Sequence, residues 1–181
     1  TRPDLAYSVG QLSRVLDKPT SNDVLKLKRV FRYLAGTLNK GTVYKPDHKS
    51  KLLESYSDAD FAGCQITGRS TSGVMVLHAG GAVSWSSQRQ GMVSTSTTES
   101  EIVAATEATK ETIWLRRLFS DIILLKEVPI LRVDNSAAVK LAQNPLFHKR
   151  TKHNDIKHFF VREKVLEGGI RVDQISTEDQ I

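Results

Sequence analysis

From Leu52 onward the apolar residues change period, and that change constrains the fold more than any other feature of the sequence. Up to about Lys45 the pattern is helical. Leu5 and Val9 are four apart, and Leu12 and Val15/Leu16 continue their face. After the break at Lys18-Pro19-Thr20-Ser21, the run Val24, Leu27, Phe31 and Leu34 repeats at the same spacing, and Gly36 and Gly41 close it. Two helices of this length cannot bury a core alone, so they need something to dock on.

Beyond the break the pattern predicts strands at 52–58, 73–78 and 82–87, the last two joined by Ala79-Gly80-Gly81, a hairpin turn signal. A Ser/Thr-rich link, Ser94 to Thr98, leads into a long helix over 99–125. Ala105, Ala108, Leu115 and Phe119 share one face of it, with Trp114, Leu118 and Ile122 beside them. An apolar strand at 128–133 ends at Asp134, and a short helix at 137–143 stops before Pro145. A helix at 154–166, the Gly168-Gly169 break and a strand at 170–175 follow. The order is β-β-β-α-β-α-α-β, with carboxylates at the end of the first strand, the start of the long helix and the end of the fourth strand.

Those carboxylates are Asp58, Glu101 and Asp134. Cleavage of a phosphodiester by two metal ions needs several acids converging from different elements, because hard divalent cations take oxygen ligands. One strand cannot supply such a cage, since its side chains alternate faces. A strand end, a helix start and a neighbouring strand end can. Each acid also has a local reading. Asp58 fits a turn-initiating residue. Glu101 fits the reciprocal arm of a capping box with Thr98 as N-cap. Asp134 fits a cap for the helix that follows. Against the capping box, Glu101 lies four residues before Ala105 on the inward face, where an unpaired carboxylate is costly. Asp60 reads as turn or supporting residue, and Glu99 as the acid that complements the helix dipole. Taken singly each acid is unremarkable; their joint placement is not.

Charge supports the same direction. The chain carries a net +6, and the whole excess lies in residues 1–50, with 10 Lys+Arg against 4 Asp+Glu. A second basic stretch, Lys140 to Lys164, holds seven Lys/Arg and only Asp155 and Glu163. Two basic patches around an acidic site suit a ligand with a phosphate backbone. Within that stretch His153, Asp155 and His158 suggest a metal or acid/base cluster, but the two histidines are five apart, which aligns poorly on a helix and favours a solvated basic face touching phosphate. The single Cys64 excludes an internal disulfide and a cysteine-based zinc site, and a reducing intracellular setting is the default. No basic residue adjoins Cys64 in sequence to activate it. No run approaches the roughly 18 apolar residues a membrane span needs. Thr1 opens the sequence, and no secretory signal is visible; the chain reads as a piece of something longer.

Several motifs in order resemble the copia-type retrotransposon Pol polyprotein. Tyr56-Ser57-Asp58-Ala59-Asp60-Phe61-Ala62-Gly63, Gly68-Arg69-Ser70-Thr71-Ser72-Gly73 and Ser84-Trp85-Ser86-Ser87-Gln88 are similar to the first three strands of its ribonuclease H domain. Ser96-Thr97-Thr98-Glu99-Ser100-Glu101 resembles the helix entry, and Val133-Asp134-Asn135-Ser136-Ala137-Ala138 the fourth strand. Thr151-Lys152-His153-Asn154-Asp155 and Phe160-Val161-Arg162-Glu163 resemble a basic segment further on. Thr1-Arg2-Pro3-Asp4-Leu5-Ala6-Tyr7 and Arg32-Tyr33-Leu34-Ala35-Gly36-Thr37 are similar to the end of the adjoining reverse transcriptase.

The resemblance implies an α/β chain of ribonuclease H-like fold, with a mixed five-stranded sheet flanked by helices and preceded by a small helical segment. Residues 1–45 would be the thumb-like end of the reverse transcriptase. Residues 46–181 would be the ribonuclease H domain, truncated before its last helix. The implied activity is hydrolysis of the RNA strand of an RNA–DNA hybrid during reverse transcription, in the cytoplasm within virus-like particles. Asp58, Glu101 and Asp134 would hold two Mg²⁺ ions, with Mn²⁺ a substitute. The partners would be the hybrid and the remainder of the Pol polyprotein, with no membrane. Selectivity for RNA would come from the 2′-OH and groove shape, with Ser94 to Thr98 and Gln88 or Arg89 as donors. The family pattern has a fourth acid, expected beyond Ile181; Asp179 comes too early, and Asp155 is the alternative within the chain. The family also tends to carry a His where Phe159 stands, with His158 one place earlier. The competing reading is a catalytically degenerate remnant that only binds nucleic acid.

Overall fold

The structure is a computed structural model that describes residues 2–45, 52–123, 125, 127–143, 152–176 and 178. The chain divides into two compact units, Thr1–Val43 and Tyr44–Ile181.

The first unit is a short 3₁₀ turn, Pro3–Leu5, followed by α1 (Ala6–Ser13) and α2 (Ser21–Gly36). Thr20 starts α2 with a capping box, in which the Thr20 hydroxyl accepts the Asp23 N–H and Asp23 reaches back to the Thr20 N–H. The turn is tied to the end of α2 by polar contacts. Arg2 pairs with Asp4 at 2.8 Å, donates to the Thr37 carbonyl at 3.1 Å, and lies over the Tyr33 ring, whose hydroxyl donates to Asp4. Neither helix buries a residue, and Phe31, Leu27, Val24 and Tyr33 stay exposed. This unit has an amphipathic helix and no core of its own.

The second unit runs β1 (Glu54–Asp60), β2 (Thr71–His78), β3 (Gly81–Arg89), α3 (Thr97–Ser120), β4 (Ile130–Val133), α4 (Ser136–Gln143), α5 (Lys152–Leu166), β5 (Arg171–Gln174). The five strands form one sheet in the order β3-β2-β1-β4-β5. β1 to β3 are antiparallel, whereas β4 lies parallel to both β1 and β5. The sheet is mixed because two hairpins supply one half and helical crossovers the other. Ala79 and Gly80, both at positive φ, form the two-residue turn from β2 to β3, and His78 pairs with Gly81. β1 runs two residues later than the sequence pattern predicts, to Asp60; β2 and β3 are longer, with β2 beginning at Thr71, and β4 and β5 are shorter.

Leu53, just before β1, and Ser55 and Ser57 within it alternate inward. They meet α3, whose buried side carries Ala104, Ala105, Ala108, Thr109 and Thr112. Small residues let the helix lie close to the strand. The buried threonines satisfy their hydroxyls on the carbonyls four residues back, so they enter a core without stranded polar atoms. Leu131 and Val133 of β4, Val172 of β5, Val139 of α4 and Val161 of α5 complete the same core. The second apolar row of the long helix behaves differently from the expectation. Trp114, Leu118 and Ile122 are exposed, and the helix ends at Ser120 rather than 125. Among the described residues no helix is long and apolar enough to cross a membrane.

Candidate metal centre

Asp58 lies near the C-terminal end of β1, Glu101 in the second turn of α3, and Asp134 directly after β4. Pairing of β1 with β4 sets Ser57 beside Val133, so the residues that follow, Asp58 still in β1 and Asp134 just past β4, lie close together. Packing of α3 on β1 brings Glu101 to the same point. One carboxylate oxygen from each of the three lies within 4.8 Å of the others.

The local roles that the sequence offers these acids are filled by their neighbours. Asp60, not Asp58, serves the turn: its Oδ1 accepts the Thr71 N–H, while Ser70 Oγ accepts the Ala62 N–H at 3.0 Å. The N-cap of α3 is Ser96 rather than Thr98, since the helix begins two residues earlier than expected. Ser96 Oγ accepts the Glu99 N–H at 3.1 Å, and Glu99 reaches back to the Thr95 N–H and hydroxyl at 2.6 and 2.7 Å. Glu101 therefore sits beyond the capping turn. At α4 the cap is Asn135, whose Oδ1 accepts the Ala137 and Ala138 N–H groups, both at 3.0 Å. Asp134 is not needed there.

Glu101 is buried to 6% exposure. Its Oε1 accepts the Ala59 N–H at 3.3 Å, while its buried Oε2 has no hydrogen-bond partner among the described residues. Burial first, then the Asp58 and Asp134 charges, push its carboxyl up to about 8. Asp58 is raised too, by burial and then by Asp134. Three crowded carboxylates, one with an unsatisfied buried oxygen, are unfavourable unless a cation neutralises them. The donor set fits a divalent cation of the hard class, whose remaining positions go to water or a ligand's phosphate oxygens.

Other residues singled out in the sequence are placed as follows. Gln88 and Arg89 are exposed at the end of β3, whereas Ser94 is buried with its hydroxyl turned inward. Arg89 lies 25 residues from Cys64 yet brings its Nη1 to 3.8 Å from the thiol sulfur. Sequence adjacency had offered Cys64 no basic neighbour; the end of β3 supplies one. Hydrogen bonds from Thr67 first, and then from Arg89, hold the thiol down to about 7. Phe159 is partly exposed, with the Arg162 guanidinium 5.9 Å from its ring centre. The side chains of His153, Asp155 and His158, and all of Asp179, lie outside the described residues.

A mixed sheet in the order 3-2-1-4-5 with helices packed on it is the ribonuclease H-like fold. A solved ribonuclease H1, LC11-RNase H1 in complex with an RNA/DNA hybrid, matches at TM-score 0.52 with 18% identity, covering 71% of this chain and 88% of that one. The ribonuclease H1 of Halobacterium salinarum matches at TM-score 0.50 with 16% identity, covering 70% and 86%. No protein-family model matches the sequence. Whole-length relatives do. The Pol polyprotein of transposon RE1 of Arabidopsis thaliana is 40% identical over 182 residues, covering 100% of this chain and 12% of the polyprotein. That of transposon TNT 1-94 of Nicotiana tabacum is 37% identical over 179 residues, covering 99% and 13%. The chain belongs to the retrovirus-related Pol polyproteins of copia-type transposons. It spans about one eighth of the length of these relatives.

Proposed function

We propose that this chain carries the ribonuclease H function of its polyprotein, hydrolysing the RNA strand of RNA–DNA hybrids made during reverse transcription. The observation that carries the reading is the convergence of Asp58, Glu101 and Asp134, from three separate elements, to within 4.8 Å. Relatives that are Pol polyproteins and a fold shared with ribonucleases H1 support it. In this reading the three acids hold two Mg²⁺ ions, which Mn²⁺ replaces. Such ions, when bound, activate water and neutralise charge on a phosphodiester. The chain's own part is to present the acids in fixed directions, to keep Glu101 Oε2 free of competing donors, and to exclude bulk water from Glu101.

Residues 1–45 fit the thumb-like end of a reverse transcriptase. Their exposed α2 face calls for a larger protein surface, which the remainder of the polyprotein supplies. The functional setting is then intracellular, within virus-like particles. The test is cleavage of a labelled RNA–DNA hybrid in Mg²⁺ by this chain extended with native flanking sequence, beside Asp58→Asn and Asp134→Asn. Each substitution is expected to reduce cleavage at least roughly 100-fold, as loss of a metal ligand does. Salt-sensitive hybrid binding without metal-dependent cleavage, or full cleavage by either variant, overturns the reading.

A further inference from the structure

Gln90 sits just past β3 and is 4% exposed, and its carboxamide has every hydrogen-bonding atom engaged. Nε2 donates to Ser72 Oγ at 2.9 Å and to the Ser100 carbonyl at 3.0 Å, while Oε1 accepts the Ser94 hydroxyl at 3.0 Å. The amide orientation follows from chemistry: a backbone carbonyl only accepts, so the nitrogen must face Ser100. The backbone is held as well, with the Gln90 N–H on the Ser70 carbonyl at 2.8 Å.

These contacts close a ring. Ser72 in β2 is the ladder partner of Ala59 in β1. Ser100 immediately precedes Glu101 in α3. The Ala59 N–H returns to Glu101 Oε1 at 3.3 Å. Gln90 therefore spans, with one side chain, the gap between β2, the ladder neighbour of the strand that carries Asp58, and the helix that carries Glu101.

We infer that Gln90 is a positioning residue of the metal centre, a brace that fixes the separation of Asp58 and Glu101 without touching metal or substrate. This rests on the reading of the acid trio as a metal site. The carboxamide suits the task because the brace must donate twice toward α3 and β2 and accept once from the loop before α3. Leucine fills the space with no donor. Glutamate fills it with an acceptor facing the Ser100 carbonyl.

The test uses the full chain carrying Gln90→Leu, with two readouts. In the first, Mn²⁺ is titrated and followed by electron paramagnetic resonance without nucleic acid; the dissociation constant is expected to weaken about 10-fold, as for other supports of metal ligands. In the second, the Ala59 backbone amide is followed by nuclear magnetic resonance in metal-free protein. Its signal is expected to shift and its hydrogen exchange to quicken as Glu101 Oε1 draws away. Ser72→Ala, which removes one leg only, should move both readouts the same way by less, and decides the matter if Gln90→Leu does not fold. A variant that melts lower while keeping wild-type Mn²⁺ affinity and an unchanged Ala59 amide overturns the brace. If wild-type chain takes up no Mn²⁺, the metal reading fails, and the Ala59 signal alone still decides whether Gln90 sets the position of Glu101.

Discussion

The Ala59 N–H holds one oxygen of Glu101 at 3.3 Å and leaves the other, buried, with no hydrogen-bond partner among the described residues. A carboxylate so placed is anchored at one end and available at the other. Burial first, then the charges of Asp58 and Asp134, raise its carboxyl from an ordinary 4.5 to about 8 and so favour its protonated form. A divalent cation reverses that preference, because it rewards the charged form that burial penalises.

A pH dependence follows. Between about 4.5 and 8 the folded metal-free protein binds a proton at Glu101 that the unfolded chain has already released. The stability this group contributes is complete below the lower value and is lost as pH rises through the upper one. Metal-free protein should therefore melt lower at pH 8 than at pH 6. Added Mn²⁺ should raise the melting temperature more at pH 8, where it displaces fewer protons. Glu101→Gln should flatten the slope and raise the metal-free melting temperature at pH 8 by roughly 3 °C, the shift that about 1 kcal/mol gives a domain of this size. Thermal unfolding followed by circular dichroism checks this. An unaltered slope in the variant would mean that Glu101 is ionised in the metal-free protein.

The position of the α3 cap gives a second prediction. Ser96, as N-cap, satisfies the Glu99 N–H, while Thr98 stands inside the first turn. Ser96→Ala should cost about 1 kcal/mol of stability, the usual loss for a serine cap. Thr98→Ala should cost little, since alanine suits a helix interior better than threonine does. Urea unfolding of the two variants reads the difference. Equal losses would put the helix start back at Thr98 and return Glu101 to capping work.

The cap also shows what the sequence could and could not reveal. The order of elements was legible, because alternation, the Ala79-Gly80 turn and a long helical run are local patterns. The three acids were legible only as a set, through the ends of elements they occupy. Whether each acid was already occupied was not legible. Ser96 and Thr98 are both good caps, as are Asp134 and Asn135, and choosing between adjacent candidates depends on where tertiary packing starts the helix. Tertiary pairings were hidden for the same reason. Arg89 meets Cys64, and Gln90 meets Ser72, only once the hairpins form. The threonines of α3 read as polar interruptions of a weak apolar face, yet Thr106, Thr109 and Thr112 are buried. Their own helix satisfies their hydroxyls, a relation that hydropathy does not register.

Those threonines lead to the last prediction. The single proton of the Thr112 hydroxyl is within reach of both the Ala108 carbonyl, at 2.6 Å, and Ser55 Oγ, at 2.7 Å, and the Ser55 hydroxyl donates to the Ile130 carbonyl at 3.0 Å. This chain of polar atoms links α3, β1 and β4, the three elements that carry the acids, through the middle of the core. Each link contributes only modestly on its own, but deleting one partner leaves the next buried atom less satisfied. Ser55→Ala and Thr112→Val should each destabilise the fold by about 1–2 kcal/mol. The double variant should cost less than their sum, because the second substitution removes an atom that the first had already stranded. A double-mutant cycle in urea measures this, and strict additivity would show that the two hydroxyls do not couple the helix to the sheet. Since neither residue touches the acids, the same variants should leave Mn²⁺ affinity within about threefold of wild type, a margin well inside the 10–100-fold losses that follow disruption of groups supporting a metal ligand.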